Sequence, residues 1–327
     1  MMQHVLLALL PVAAVTSWLF GWGTIINLIL ASLIALGAEA LALWLRKRPL
    51  APALGDYSAL VTAWLFALSV PATLPWWLTL IGVGFAILVV KQLYGGLGYN
   101  PFNPVAAAYV LLLVSWPLAM TIWPNPSLAG QPMPSLGEAL GIIFQGQLPH
   151  GMSLDALTGA TPFDDLRNQL KQQHDLDSIL QSPLWGALGG RAWEWIGLAA
   201  LTGGLWLLYR RVITWHIPVS MLLTLFLMAM AFHTFAPLQY PSGPIHLFSG
   251  AAIFGAFFIA TDPITAATTK RGQLIYGALI GAMVYIIRTW GGYPDGVAFA
   301  VLLMNLAAPT IDRYTRPRTL GHGGFDA

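Results

Sequence analysis

The 327-residue sequence contains no cysteine, which excludes a disulfide framework and any iron–sulfur cluster held by this chain alone. Charge is scarce as well. Only 9% of residues are Asp, Glu, Lys or Arg, whereas a soluble domain carries about a quarter. The formal charge of +2 is spread without a basic cluster, so nothing points to nucleic acid. The seven histidines are scattered, with no pair at the i, i+4 spacing of a helix-borne ligand set, which argues against a haem or metal site. The first apolar run lacks a basic n-region, and no cleavage site followed by a soluble domain comes after it. It therefore reads as a membrane span rather than a signal peptide.

What fills the chain instead is apolar sequence, 57% of residues, with a mean hydropathy of +0.69. A helix needs about 20 residues to cross a bilayer. Ten spans are expected on that basis: 5–20, 24–45, 57–70, 77–94, 103–120, 192–209, 215–235, 246–261, 274–290 and 296–312. The fold class is thus an all-α polytopic membrane protein. With the N-terminus inside, 11 Lys and Arg fall in inner segments and 4 (Arg167, Lys171, Arg191 and Arg288) in outer ones, as the positive-inside rule requires. Both termini are then cytoplasmic, and the polar 121–191 segment lies outside, on the periplasmic face of a bacterial inner membrane. The domain reading is a first membrane half (1–120), an outer loop (121–191), a second membrane half (192–312) and a cytoplasmic tail (313–327).

The halves resemble each other. A shift of 192 residues lays Ala59, Val61, Ala63, Phe66, Ser69 and Pro71 on Ala251, Ile253, Gly255, Phe258, Thr261 and Pro263. The same shift lays Val105, Ala106, Ala108, Leu111 and Pro117 on Val297, Ala298, Ala300, Leu303 and Pro309. Five spans per repeat, an odd number, imply two inverted five-helix repeats. The short spans 57–70 and 246–261 are a matched pair, the pattern of discontinuous helices meeting near the midplane. Asp56, Asn100, Asn103, Asp262 and Thr265 lie near these breaks and are candidates for a central site. Helix-start chemistry explains Asn103-Pro104 and Asp262-Pro263 equally well. Glu39 is the one carboxylate well inside a span, and it either serves a function or reaches towards Arg46 at the inner surface.

The outer loop opens with turn-rich Trp123-Pro124-Asn125-Pro126. Ser135-Leu136-Gly137-Glu138 follows, a capping-box pattern that starts a short helix. Near the middle stands Asp155-Ala156-Leu157-Thr158-Gly159-Ala160-Thr161. After it, Pro162 and the apolar positions Phe163, Leu166 and Leu170 predict a second helix with Thr161 as its N-cap. Capping alone accounts for Thr161. A phosphate esterified to that hydroxyl would also sit where helix N-termini attract anions. Asp164 and Asp165 crowd negative charge into the same turn, so such a phosphate is expected to point away from them.

These strings, together with Gly95-Gly96-Leu97-Gly98-Tyr99-Asn100-Pro101-Phe102-Asn103-Pro104, His246-Leu247-Phe248-Ser249-Gly250, 257–263 and 291–299, resemble the D subunits of Rnf (Rsx) electron-transport complexes. They are similar, more distantly, to the B subunits of sodium-translocating NADH:quinone oxidoreductases. The resemblance covers nearly the whole chain. It implies FMN attached to Thr161 through a phosphoester, with Asp155, Thr158, Gly159 and Ala160 forming the attachment motif. Thr158 stands where the family usually has serine. A second, non-covalent flavin (riboflavin) is implied within the membrane region, and Asn100, Asn103 and Asp262 are the candidates for a central site. The implied role is an electron relay, not catalytic alone, in a complex passing electrons between ferredoxin and NAD⁺ with Na⁺ or H⁺ movement. The implied partners are the A, B, C, E and G subunits of the Rnf complex, with G the nearest electron partner, and a periplasmic flavin transferase. A quinone-reductase B subunit is disfavoured, since the chain starts at its first span. A small-solute channel of urea-transporter-like architecture is the alternative from another class, but it has no use for the Thr158–Thr161 string.

Overall fold

The computed structural model describes residues 1–130, 133–148, 153, 157–293 and 295–316. Asp155 and Ala156 lie outside the described residues, as does the tail beyond Arg316. Helix occupies each of the ten predicted segments: Met2–Phe20, Trp22–Leu45, Ser58–Ala67, Trp76–Gln92, Pro104–Ser115, Trp193–Tyr209, His216–Phe235, an interrupted run over 243–259, Lys270–Trp290 and Val297–Thr315. Four of these, Met2–Phe20, Trp22–Leu45, His216–Phe235 and Lys270–Trp290, are long and apolar enough to cross a membrane. Large apolar side chains such as Ile29 and Leu33 stand exposed along Trp22–Leu45. In water that would be costly; against lipid tails it costs nothing.

Close packing comes from small residues, as expected where no hydrophobic drive separates helix from lipid. Lys270–Trp290 lies against His216–Phe235 through Gly277 and Gly281, four apart on one face. A Cβ at Gly277 would run into Ser220, and one at Gly281 into the Met221 carbonyl. Residues from both halves, from Ala8 and Leu9 to Tyr276 and Val301, share one continuous core.

The predicted breaks are present, with differences in detail. The 243–259 run is helical over Gly243–Phe248, interrupted at 249–251, and resumes at Ala252 before widening into a π-turn over Gly255–Ile259. The expected 103–120 span ends at Ser115. Pro117 has no N–H to continue the ladder, and Trp116 before it is held at φ −135°. A second π-helix, Phe85–Gln92, was not predicted. Asp262 caps a turn through Ile264 and Thr265 rather than starting a helix.

The repeat has local hydrogen-bond counterparts. The Asn103 side chain caps Pro104–Ser115 by accepting from Val105 N at 3.0 Å, and Asp295 accepts from Val297 N at 3.1 Å. Ser69 Oγ donates to the Leu65 carbonyl and Thr261 Oγ1 to the Phe257 carbonyl, both at 2.7 Å. All four pairs of positions differ by 192.

Candidate functional site

Two clefts occupy corresponding places in the halves. One is lined by Thr16 near the C-terminal end of the first helix and by Trp193, Ile196 and Gly197 at the start of Trp193–Tyr209. The other is lined by Met1, Met2 and Val5 at the start of the first helix and by Leu207 near the end of Trp193–Tyr209. These two helices pack against each other, so the clefts lie at opposite ends of the bundle. The first, about 1060 Å³ counting its open mouth, is walled by part of the 121–191 segment and is called the loop-face cleft. The second, about 820 Å³, is the opposite-face cleft.

Thr161 stands on the wall of the loop-face cleft beside Trp123, Phe163 and Trp193. Local sequence explains how it gets there. Thr158 and Gly159 pair as a two-residue antiparallel strand with Trp123-Pro124, a pairing absent from the all-helical expectation. Asn125 tightens it, donating from its backbone to the Leu157 carbonyl at 2.9 Å and from its side chain to the Thr158 carbonyl at 3.3 Å. A Cβ at Gly159 would strike the Asn125 amide oxygen, so any larger residue there would have to push the Asn125 side chain aside. Trp123 in turn packs on Phe20 and Trp193, which ties the strand to the membrane helices. Ala160 is exposed, and Thr161 then begins Pro162–Lys171 as its N-cap. The capping box at Ser135–Glu138 is also present.

The Pro162–Lys171 helix docks through Phe163 and Leu166 onto Leu176, Ile179, Trp185 and Ile245, with Leu170 packed at the edge. The Arg288 guanidinium lies over the Phe163 ring at 4.5 Å. Arg288 also pairs with Asp295 at 2.9 Å and donates to the His246 carbonyl. Burial alone would raise the Asp295 carboxyl, but the Arg288 charge and four hydrogen bonds, among them Ala251 N and Val297 N, hold it below its ordinary value.

At Thr161 the hydroxyl donates to Asp164 Oδ2 at 2.7 Å and accepts from Asp164 N at 3.4 Å. Burial lifts the Asp164 carboxyl above its usual range, while Thr161 and Arg167 pull it back only in part. The carboxylate from which a phosphate is expected to point away therefore holds the very oxygen a phosphoester would use. A phosphate there must displace this hydrogen bond, and a carboxyl that ionises reluctantly makes the displacement easier.

The opposite-face cleft gathers Asn100, Asn103 and Asp262 on one wall, so the three residues singled out for a central site do converge. Asn103 Nδ2 donates to Asp262 Oδ2 and to the Ile259 carbonyl, each at 3.3 Å, joining the two halves. Asn305 extends the link by accepting from Asn103 N at 2.9 Å and donating to the Tyr276 hydroxyl and the Thr265 carbonyl. Asn100 is buried, and its Oδ1 has no hydrogen-bond partner among the described residues. An orphaned buried acceptor on a cleft wall fits a ligand that donates a hydrogen bond there.

Glu39 corrects the expectation that it reaches Arg46. It is buried and accepts from Lys91 Nζ at 2.6 Å and Gln92 Nε2 at 2.7 Å, while Arg46 bonds Gln92 instead. Lys91 also donates to Ser58 Oγ at 2.7 Å and lines the opposite-face cleft. The wide π-turn brings the consecutive residues Lys91 and Gln92 onto the two oxygens of one carboxylate. The one signal in the sequence was a lysine at the end of an apolar span. Lys91 and Arg288, both counted as loop charges, are in fact buried.

A bundle of apolar helices with two broken segments, a cleft at each end, and a threonine presented at one of them defines a polytopic membrane protein. Residues 1–321 match the NQR2, RnfD, RnfE family, and the chain belongs to it. It is 50% identical over 329 aligned residues to the D subunit of the ion-translocating oxidoreductase complex of Salmonella typhi, covering 98% of this chain and 94% of the relative. The corresponding proteins of Salmonella paratyphi B and Salmonella typhimurium match with the same identity and coverage.

Proposed function

We propose that this chain is the D-type membrane subunit of a bacterial ion-translocating oxidoreductase complex, relaying electrons between ferredoxin and NAD⁺ through two flavins while Na⁺ or H⁺ is moved. FMN is esterified to Thr161 by a flavin transferase, and riboflavin binds non-covalently in the opposite-face cleft. When bound, each flavin supplies reversible electron uptake. In this reading the loop face is periplasmic, the termini are cytoplasmic, and the protein sits in the inner membrane. The A, B, C, E and G subunits assemble around it, with G as the electron partner on the loop face.

The observation that carries this reading is the Thr161 hydroxyl on the wall of an aromatic cleft. Trp123, Phe163 and Trp193 offer flat faces on which a fused ring can pack. The positive end of the Pro162–Lys171 helix dipole favours an ester phosphate next to its N-cap. Asp164 yields the hydroxyl, and Gly159 keeps the motif pressed to Asn125. In the other cleft, the orphaned Asn100 Oδ1 accepts from a ligand N–H or O–H, and Asn103 and Asp262 fix the wall beside it.

The test is co-expression with a flavin transferase. The denatured protein should give a fluorescent band, and the Thr161 peptide should carry the mass of FMN less water. Thr161→Ala should lose both. A band retained by that variant would move the attachment elsewhere, and a bare Thr161 in competent cells would remove the covalent flavin from the reading.

A further inference from the structure

A third cleft opens on the loop face, on the far side of the Phe163 ring from Thr161, with about 960 Å³ of open space including its mouth. Its basic wall is Arg167, Lys171, Arg288 and His246, with the uncharged Gln239 and Thr289 beside them, and no acidic residue among the described ones lines it. Arg288 is neutralised by Asp295. Arg167 has only the Arg288 and Tyr293 carbonyls as hydrogen-bond partners, and Lys171 is exposed with no ion pair, among the described residues. Asp164 on the same helix acts on Arg167 through its charge, but its carboxylate accepts its side-chain hydrogen bond from the Thr161 hydroxyl. His246 is 2% exposed, yet neither ring nitrogen has a hydrogen-bond partner among the described residues. A buried imidazole with both nitrogens unspent, on the wall of a cleft lined by Lys171 and by Arg167, whose charge is offset only in part by Asp164, fits an anionic acceptor.

The rest of the wall fixes the kind of anion. Tyr240 and Trp290 line the cleft, and Trp290 ends Lys270–Trp290, one of the helices long and apolar enough to cross a membrane. Amphipathic rings at such an end mark the headgroup level. A free ion would leave most of this volume and its apolar wall unused. We infer that the cleft binds a phospholipid by its headgroup phosphate, with Arg167 and Lys171 on the phosphate and a His246 N–H donating to a phosphate or glycerol-ester oxygen. Because Phe163 walls both loop-face clefts, the lipid also braces the helix that Thr161 caps.

The experiment uses the full chain, delipidated in detergent, with phosphatidylglycerol, the phosphate-free analogue diacylglycerol and inorganic phosphate as separate probes, read by native mass spectrometry. Wild-type protein should retain phosphatidylglycerol over diacylglycerol, and excess inorganic phosphate should displace little of it. Losing one charge-assisted contact should weaken retention about tenfold. Lys171→Gln, at an exposed position that leaves the fold intact, should show that loss, and Arg167→Gln and His246→Phe should follow. Equal retention of the two lipids, or a Lys171→Gln protein that holds phosphatidylglycerol as well as wild type, would overturn the assignment. Ready displacement by inorganic phosphate would also overturn it, in favour of a free-anion site.

Discussion

The two main clefts are built on matching backbone yet hold charge differently. In the loop-face cleft the capping residue is a carboxylate, Asp295, and its counter-ion Arg288 comes from the neighbouring helix of the same half. In the opposite-face cleft the matching cap is Asn103, which is neutral. The basic residue at the end of that half's fourth helix, Lys91, turns to Glu39 instead. Their placement still corresponds. Lys91 reaches Ser58, and Arg288 lies against Gly250, the position 192 residues on. The two ends therefore share a buried cation and a helix cap but differ in where the carboxylate stands. With its cap uncharged, Asn103 is free to reach Asp262 and stitch the halves together. With its cap charged and paired, the loop-face cleft has a settled wall on which an added loop can place a hydroxyl.

Breaking the ion pairs should expose the difference most strongly. In Lys91–Glu39 both side chains are almost wholly enclosed, at 3% and 2% exposure, whereas Asp295 is 18% exposed. Lys91→Met leaves the Glu39 carboxyl in a dry site without its cationic partner and should cost about 3–5 kcal/mol, read by thermal or denaturant unfolding in detergent. Adding Glu39→Gln should restore more than half of that loss. A double variant as unstable as the single would deny the coupling. Arg288→Met should cost less, since Asp295 keeps water and two backbone donors. The Asp295 pair also has a pH signature. Its carboxyl is lower in the folded protein than in the unfolded chain, so its stabilisation is full above the unfolded pKa and is lost as pH falls through the depressed folded value. Arg288→Met should flatten that part of the acid unfolding profile.

A gentler change makes the two caps alike. Asn103→Asp keeps an oxygen for Val105 N but sets a second carboxylate 3.3 Å from Asp262 Oδ2. Crowding two carboxylates should cost about 1–3 kcal/mol at neutral pH, and the cost should shrink in acid as one is protonated. The converse swap, Asp295→Asn, should lose stability at neutral pH and show a flatter acid profile than wild type, because the stabilisation that acid abolishes is already gone. The stability of Asn103→Asp should instead rise as one carboxylate is protonated. If both variants respond to pH in the same way, the claim that the clefts differ in where the carboxylate stands is wrong.

Sequence periodicity revealed the helices because a membrane leaves few options: an apolar run long enough to span must satisfy its own backbone. The caps at Ser135, Thr161 and Asn103 were equally readable, since capping is a local chemistry. The convergence of Asn100, Asn103 and Asp262 was half readable: chain breaks marked each residue, but only packing joins 103 to 262. What stayed hidden depends on helix rotation. Glu39 sits 52 residues from Lys91, and the apolar sequence around both gives no phase to show that they face each other. The π-turn that aims Lys91 and Gln92 at one carboxylate has no compositional signature. Asn305, mid-helix and unremarkable in sequence, matters only because it meets Asn103 from the other half.

The smallest effect concerns the loop that only one cleft possesses. Asp164 is raised by burial, so folding disfavours its ionised form, and the penalty is present above the folded pKa and vanishes as pH falls through it. Asp164→Asn keeps a side-chain acceptor for Thr161 but removes the charge. The variant should be more stable than wild type at neutral pH by under about 1 kcal/mol, the scale of a surface substitution. That margin should narrow on acidification towards about pH 4, the ordinary carboxyl range, and thermal unfolding across the interval measures it. The same variant sharpens the comparison between the clefts. If Asp164 does nothing but hold the capping hydroxyl of Thr161, flavin loading there should be unchanged or improved, because the ester no longer competes with a carboxylate for one oxygen. If loading instead collapses while stability holds, the carboxylate is required to draw the proton from the hydroxyl. The loop-face cleft would then differ from its counterpart in carrying the means of its own modification.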